Sequence, residues 1–266
     1  MLKFQFIILL TSFFALMSCS ENAGTENSET PETKNTSSMP FDKRAFLEVK
    51  RYLAIPNDEE FKLKIYHEHL NSDTILDAII AVNRLEYAMN EAIKNGREAK
   101  AAELGFNGNY NYLFYYDGAL DKISNPIFVP SSPGRELDIA FRSICSPIRK
   151  DILVTSRVRN SGWIAYYSVF NEHDLMKVFE WKWFDKLGDK TPEALVHEFV
   201  ENPDNIAQDI EIYESEIDQY KLPIEDIYKY VPSITKKKKL ILRFLLDPKE
   251  KKYRLYPEFK GNLPQL

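Results

Sequence analysis

Between residues 110 and 184 the chain alternates apolar and polar side chains in short runs, punctuated by tight-turn residues. Successive side chains of a strand point to opposite faces, so runs of period two bounded by turn chemistry commit a chain to antiparallel sheet. The runs cover 110–116, 137–144, 152–159, 163–170 and 175–184. Asp117-Gly118, Asn160-Ser161-Gly162 and Asn171-Glu172-His173-Asp174 supply the turns. This spacing predicts a meander. Upstream, 61–66 and the apolar stretch 78–82 read as further strands. Downstream, 240–246 and 253–256 read as a closing hairpin about Asp247-Pro248.

Helical signals are fewer. From 86 to 104 the apolar positions are Ala88, Met89, Ala92, Ile93, Ala99 and Ala102, a helical spacing with Leu104-Gly105 as its stop. A short helix is expected over 43–54, with Phe46, Val49 and Leu53 on one face. Residues 192–200 read as one or two helical turns, with Thr191 as N-cap and Pro192 at the first position. The expected class is α+β, mostly β: antiparallel meander sheets with one clear helix at 86–104. No Gly/Ser-rich or Pro-rich linker divides 41–266, and no fixed repeat occurs there, so this stretch is expected to be a single β-rich domain.

Composition removes several classes of function. With 35 Lys and Arg against 40 Asp and Glu, the chain lacks the basic balance that a nucleic-acid partner needs. Two cysteines exclude a disulfide-dense scaffold and a Cys-rich zinc site. An apolar share of 44% excludes wholesale disorder and a multi-span membrane protein.

The N-terminus supplies an address. Lys3 precedes an apolar run from residue 4 to 17, and Ser18-Cys19 follows. One cation, a short apolar core and a small residue before the cut make a secretory signal. The run is shorter than the roughly 20 residues of a spanning helix. Leu16-Met17-Ser18-Cys19 resembles the lipobox of bacterial lipoproteins. The resemblance implies a signal peptide over 1–18, with Cys19 as the lipidated first residue of the mature chain. Two or more acyl chains make a stable anchor, so membrane lipid is the expected first partner. The acidic residue after Ser20 resembles the export tails of Bacteroidetes surface lipoproteins. Localisation is thus expected in the cell envelope, at the outer membrane of a diderm bacterium. From 19 to 40 the chain is Glu, Asn, Thr, Ser, Gly and Pro with almost nothing apolar, the composition of a disordered tether. Lipidation of Cys19 leaves Cys145 as the remaining thiol, read as a buried small hydrophobe on a strand.

Candidate chemistry is sparse. The aromatics Tyr110, Tyr112, Phe114, Tyr116, Trp163, Tyr167, Phe179, Trp181 and Trp183 alternate along strands, the pattern of an inter-sheet core, with a glycan groove as the functional alternative. Lys236-Lys237-Lys238-Lys239 reads as a solvated guard of the hairpin, against contact with an acidic surface. His67 and His69 share a face of an extended segment, a spacing that zinc enzymes use, although a catalytic zinc needs a third ligand. Nucleophile elbows and glycine-rich phosphate loops are missing, and the carboxylates of 209–218 are too many to rank.

One loop stands out. Asn71, Asp73 and Asp77 sit between two expected strands in a pattern that resembles a single calcium loop of the FG-GAP/VCBS type. That resemblance implies weak calcium binding by Asn71, Asp73 and Asp77, calcium being the one cofactor suggested. The other reading is a turn whose side chains bond their own backbone. Together these features point to an anchored envelope lipoprotein with a binding or structural role, its partner an envelope protein or polysaccharide. The alternative is an envelope hydrolase, metal-dependent through His67 and His69.

Overall fold

The computed structural model describes residues 39–99, 109–171, 173–224 and 226–259. The expected signal 1–18, Cys19 and the expected tether as far as residue 38 lie outside them.

Helix α1 (Phe41–Tyr52) opens the body. Ala45 and Val49, one turn apart, are fully buried, while Phe46 is largely exposed and stacks on Phe61 at 5.0 Å. A five-stranded antiparallel sheet follows: β1 (Lys62–Glu68), β2 (Asp77–Asn83), β3 (Asn111–Asp117), β4 (Lys122–Ile123) and β5 (Ile127–Phe128). The last two both pair with β3 and form its interrupted outer edge. Pro126, which has no N–H for a ladder, lies at the interruption.

Between β2 and β3 lies the helix expected over 86–104, and it is shorter. Helix α2 (Leu85–Lys94) stops at Asn95-Gly96, where Gly96 takes φ +62° and donates its N–H to the Ile93 carbonyl. Glycine adopts that left-handed geometry without strain and so ends helices. The stop expected at Leu104-Gly105 lies outside the described residues. With α1, the described chain has two α-helices beside its sheets.

The rest is a meander of eight strands in sequence order: β6 (Asp138–Arg142), β7 (Asp151–Val158), β8 (Ser161–Phe170), β9 (Asp174–Asp185), β10 (Glu193–Val200), β11 (Asp209–Ile217), β12 (Ile234–Asp247) and β13 (Lys252–Leu255). The α+β, mostly β class holds. Residues 192–200 are a strand and not helical turns. Seven register pairs join β10 to β11, from Ala194↔Ser215 to Val200↔Asp209. This pairing outweighs the local cap of Thr191-Pro192, and β-branched Val196 and Val200 suit it. The lysine run lies within β12, where Lys236 meets Glu198 at 2.6 Å and Lys239 meets Glu214 at 3.0 Å. It is one side of a cross-strand ion-pair ladder.

The strand faces sort into three cores. Ile80, Val82, Tyr112 and Phe114 face α1, while Ile79, Ala81, Leu113 and Tyr115, one residue out of step, face the larger sheet. There they meet Ile139, Ile152, Val154, Ala165, Tyr167 and Val169. The opposite face of the larger sheet carries Tyr166, Phe179, Trp181, Ile210, Ile212, Leu242 and Tyr253. In a flat sheet β9 and β12 would stand about 14 Å apart, three strand spacings. Yet the Phe179 and Phe244 rings lie 5.1 Å apart, and Phe179 and Tyr253 5.9 Å. The sheet therefore curls over this third core. It does not close, because β6 and β13 remain edges.

Candidate functional site

Curling leaves a mouth. β9 and β10 share only two register pairs, Glu193↔Asp185 and Ala194↔Phe184, and then diverge. At this divergence lies a cavity of about 430 Å³, bordered by β6 to β10 and by Val231 and Ile234 at the approach to β12. Asp138, Thr155 and Ile164 form one cross-strand row of its wall. Val196 and His197 face them from β10.

Trp183 reaches this wall through a bulge. Gly162 pairs with Phe184 and Trp163 with Lys182, so Trp183 is the extra residue in β9. A second bulge sets Val178 between the partners of Tyr166 and Tyr167. Bulges bend a strand and re-aim side chains, here toward the hollow of the curl. Gly162 is required by the neighbouring packing, since a Cβ there would sit 2.2 Å from a ring carbon of Phe184.

Arg157 is the distinctive group of the cavity. It is buried, and its guanidinium lies 4.7 Å from the centroid of the Phe184 ring. Nε donates to the Arg159 carbonyl at 2.7 Å, Nη1 to Tyr230 at 3.1 Å and Nη2 to Ile227 at 2.7 Å. All three acceptors are neutral. Burial, with Arg135 nearby, pulls its pKa down to about 10, so it stays charged at neutral pH. Among the described residues neither Arg135 nor Arg157 joins an ion pair. Glu136, in the same wall, is already bridged by Lys62 at 2.8 Å and Lys64 at 2.5 Å.

His197 contributes no charge. Burial, reinforced by Arg142, lowers its pKa to about 4, and its ring packs against Tyr166 and Phe199. The cavity thus combines an apolar and aromatic wall with two unpaired guanidinium groups and two hydroxyls, Thr155 and Ser156. Such a hollow, with an aromatic and aliphatic surface and charged and hydroxyl groups set into it, has the mixed wall by which a small-molecule site fixes both the body and the polar end of a ligand.

Comparisons with protein-family models, curated proteins and solved structures return no match.

The residues singled out by sequence lie elsewhere. His67 packs on the Phe41 ring at 5.6 Å, whereas His69 sets Nδ1 3.3 Å from the Ile75 carbonyl. Among the described residues no group of three His, Cys, Asp or Glu side chains is placed to hold a metal. In the loop after β1, Asn71 Oδ1 accepts the Asp73 N–H at 2.9 Å and Asp73 Oδ1 the Ile75 N–H at 2.7 Å. Asp77 is enclosed and accepts the N–H groups of Leu70 and Gly118 at 3.1 and 3.0 Å. Burial raises its pKa despite those bonds. Cys145 is a buried free thiol whose pKa burial pushes up, against the thiolate. Cys19 lies outside the described residues.

Sequence reasoning missed the cavity's polar members. Arg157 sits in an alternating run as an ordinary outward charge, and Arg135 in a loop. β11 was hidden by its acids, although Ile210 and Ile212 alternate with Glu211 as a strand does. The pairing of His173 Nδ1 with the buried Asp117, 56 residues away, had no local signal.

Proposed function

We propose that this chain is a lipid-anchored protein of the bacterial cell envelope, held at the outer membrane through Cys19, whose β domain binds a small molecule. The observation that carries the binding role is the cavity of about 430 Å³ where β9 and β10 part. Its volume falls in the range of ligand sites, roughly 300–1,000 Å³. Its bulged Trp183 and uncompensated guanidinium pair are costly features for a stability element. Binding is favoured over catalysis because, among the described residues, no hydrogen bond joins His197 to Thr155, Ser156 or Asp138 into a nucleophile-and-base pair on this wall. The lipobox-like Leu16-Met17-Ser18-Cys19 supports the anchor. Among the described residues no helix is long and apolar enough to cross a membrane.

A screen of small organic compounds by thermal shift tests the binding role. Ligands raise the unfolding midpoint of the wild-type chain. Ile164→Trp, which fills the cavity from β8, is expected to abolish those rises. Rises that survive the filled cavity, or no rise with any compound, would refute it.

A further inference from the structure

We infer that the cavity takes an organic monoanion, a carboxylate on an apolar body, with Arg157 and Arg135 reading the charge. This deepens the binding role proposed above and rests on it. A guanidinium has five N–H donors, and Arg157 uses three on backbone carbonyls, which leaves two. Those carbonyls and the Phe184 face hold the planar group in one orientation before any ligand arrives. A pre-positioned, desolvated guanidinium binds a carboxylate without the ordering cost that a mobile surface arginine incurs.

Charge balance sets the ligand's valence. The wall carries Arg135, Arg157, Glu136 and Asp138. Glu136 is spoken for by Lys62 and Lys64, so two guanidinium groups stand against the single carboxylate of Asp138. One positive charge is left over, which suits a monoanion. The body of the ligand is set by Ile164, Trp183, Phe184, Val196, Val231 and Ile234. A bare inorganic anion would leave this wall unfilled, and a neutral apolar molecule would leave the guanidinium pair uncompensated.

Titration calorimetry of the full chain with cyclohexanecarboxylate, 3-cyclohexylpropanoate, their primary amides and inorganic phosphate tests this. The acids are expected to bind at least tenfold more tightly than the amides and than phosphate. Arg157→Gln and Arg135→Gln should each remove at least tenfold from acid binding and leave amide binding within twofold. If Arg157→Gln fails to fold, Arg135→Gln, on a half-buried side chain, and the wild-type acid-to-amide ratio decide the matter. Equal binding of acids and amides overturns the ligand class while the binding role stands. Phosphate binding as tightly as the acids overturns the apolar body. No binding by any probe overturns the ligand class, and the cavity-filling screen then decides the binding role separately.

Discussion

The Arg157 guanidinium rests on the face of Phe184, and Phe184 in turn fills the space above Gly162, the register partner of Arg157. A glycine in one strand thus creates the shelf on which a buried cation of the next strand lies. Gly162→Ala must displace the Phe184 ring, and overpacking of this kind costs about 1–3 kcal/mol. Chemical denaturation should show that loss. The same substitution should weaken binding of any anionic ligand found for the cavity.

Two buried tyrosines make a paired comparison. The Tyr166 hydroxyl is buried without a partner, whereas Tyr253 donates to the Gln208 carbonyl at 2.8 Å. An unsatisfied buried group is a net cost, while a typical bond contributes about 1 kcal/mol. Tyr166→Phe is therefore expected to leave stability unchanged or raise it by up to about 1 kcal/mol. Tyr253→Phe should lower it by a similar amount. Urea midpoints of the two variants check the contrast.

Acid should act through His197. Its pKa is about 4 in the folded chain against 6.5 for the free side chain. Above pH 6.5 both states hold it neutral, and it contributes nothing to pH dependence. Between pH 6.5 and 4 the unfolded chain takes up a proton that the folded chain refuses, so stability falls. At 1.36 kcal/mol per pH unit the loss reaches about 3 kcal/mol. His197→Phe should remove that part of the slope, read as the difference between variant and wild-type denaturation at each pH. The buried Asp151, whose pKa burial raises, slopes the other way and cancels in the difference.

Loop 69–77 is best tested with calcium. Asn71 and Asp73 already cap the turn, so millimolar calcium is expected to leave the unfolding midpoint unchanged. Asp73→Ala should still cost about 1 kcal/mol through the lost side-chain bond. A calcium-dependent rise in wild type that disappears in Asp73→Ala would instead establish a metal site there.

Anchoring is tested by fractionation. Cys19→Ala is expected to move the protein from the membrane fraction to the soluble one, or to stall its processing. Wild-type mature chain without lipid at Cys19 would refute the anchor.

The alternating runs from 137 to 184 determined the antiparallel meander, because a strand's two-residue period is written in neighbouring side chains, whereas the run 110–116, expected in the same meander, pairs as β3 in the smaller sheet. Val49 was legible from helical spacing, whereas Phe46, expected on the same face, is exposed and Ala45 takes the buried place; the Cys145 thiol is buried as read, but in a bend after β6 and not on a strand. Position along one segment does not report what lies across the fold. Residues 192–200 carry a helix cap, and only the ladder to β11 makes them a strand. The series 86–104 has helical spacing throughout, but the left-handed Gly96 ends the helix early. Bulges at Val178 and Trp183 in β9, with further register shifts between β11 and β12, bend the sheet, and a bulge exists only relative to a partner strand, so neither strand's sequence alone contains it. The cavity follows from the curl. Arg157 acquires its meaning there too: its acceptors at 227 and 230 lie some seventy residues away, and burial by distant chain turns an ordinary strand arginine into an unpaired interior charge.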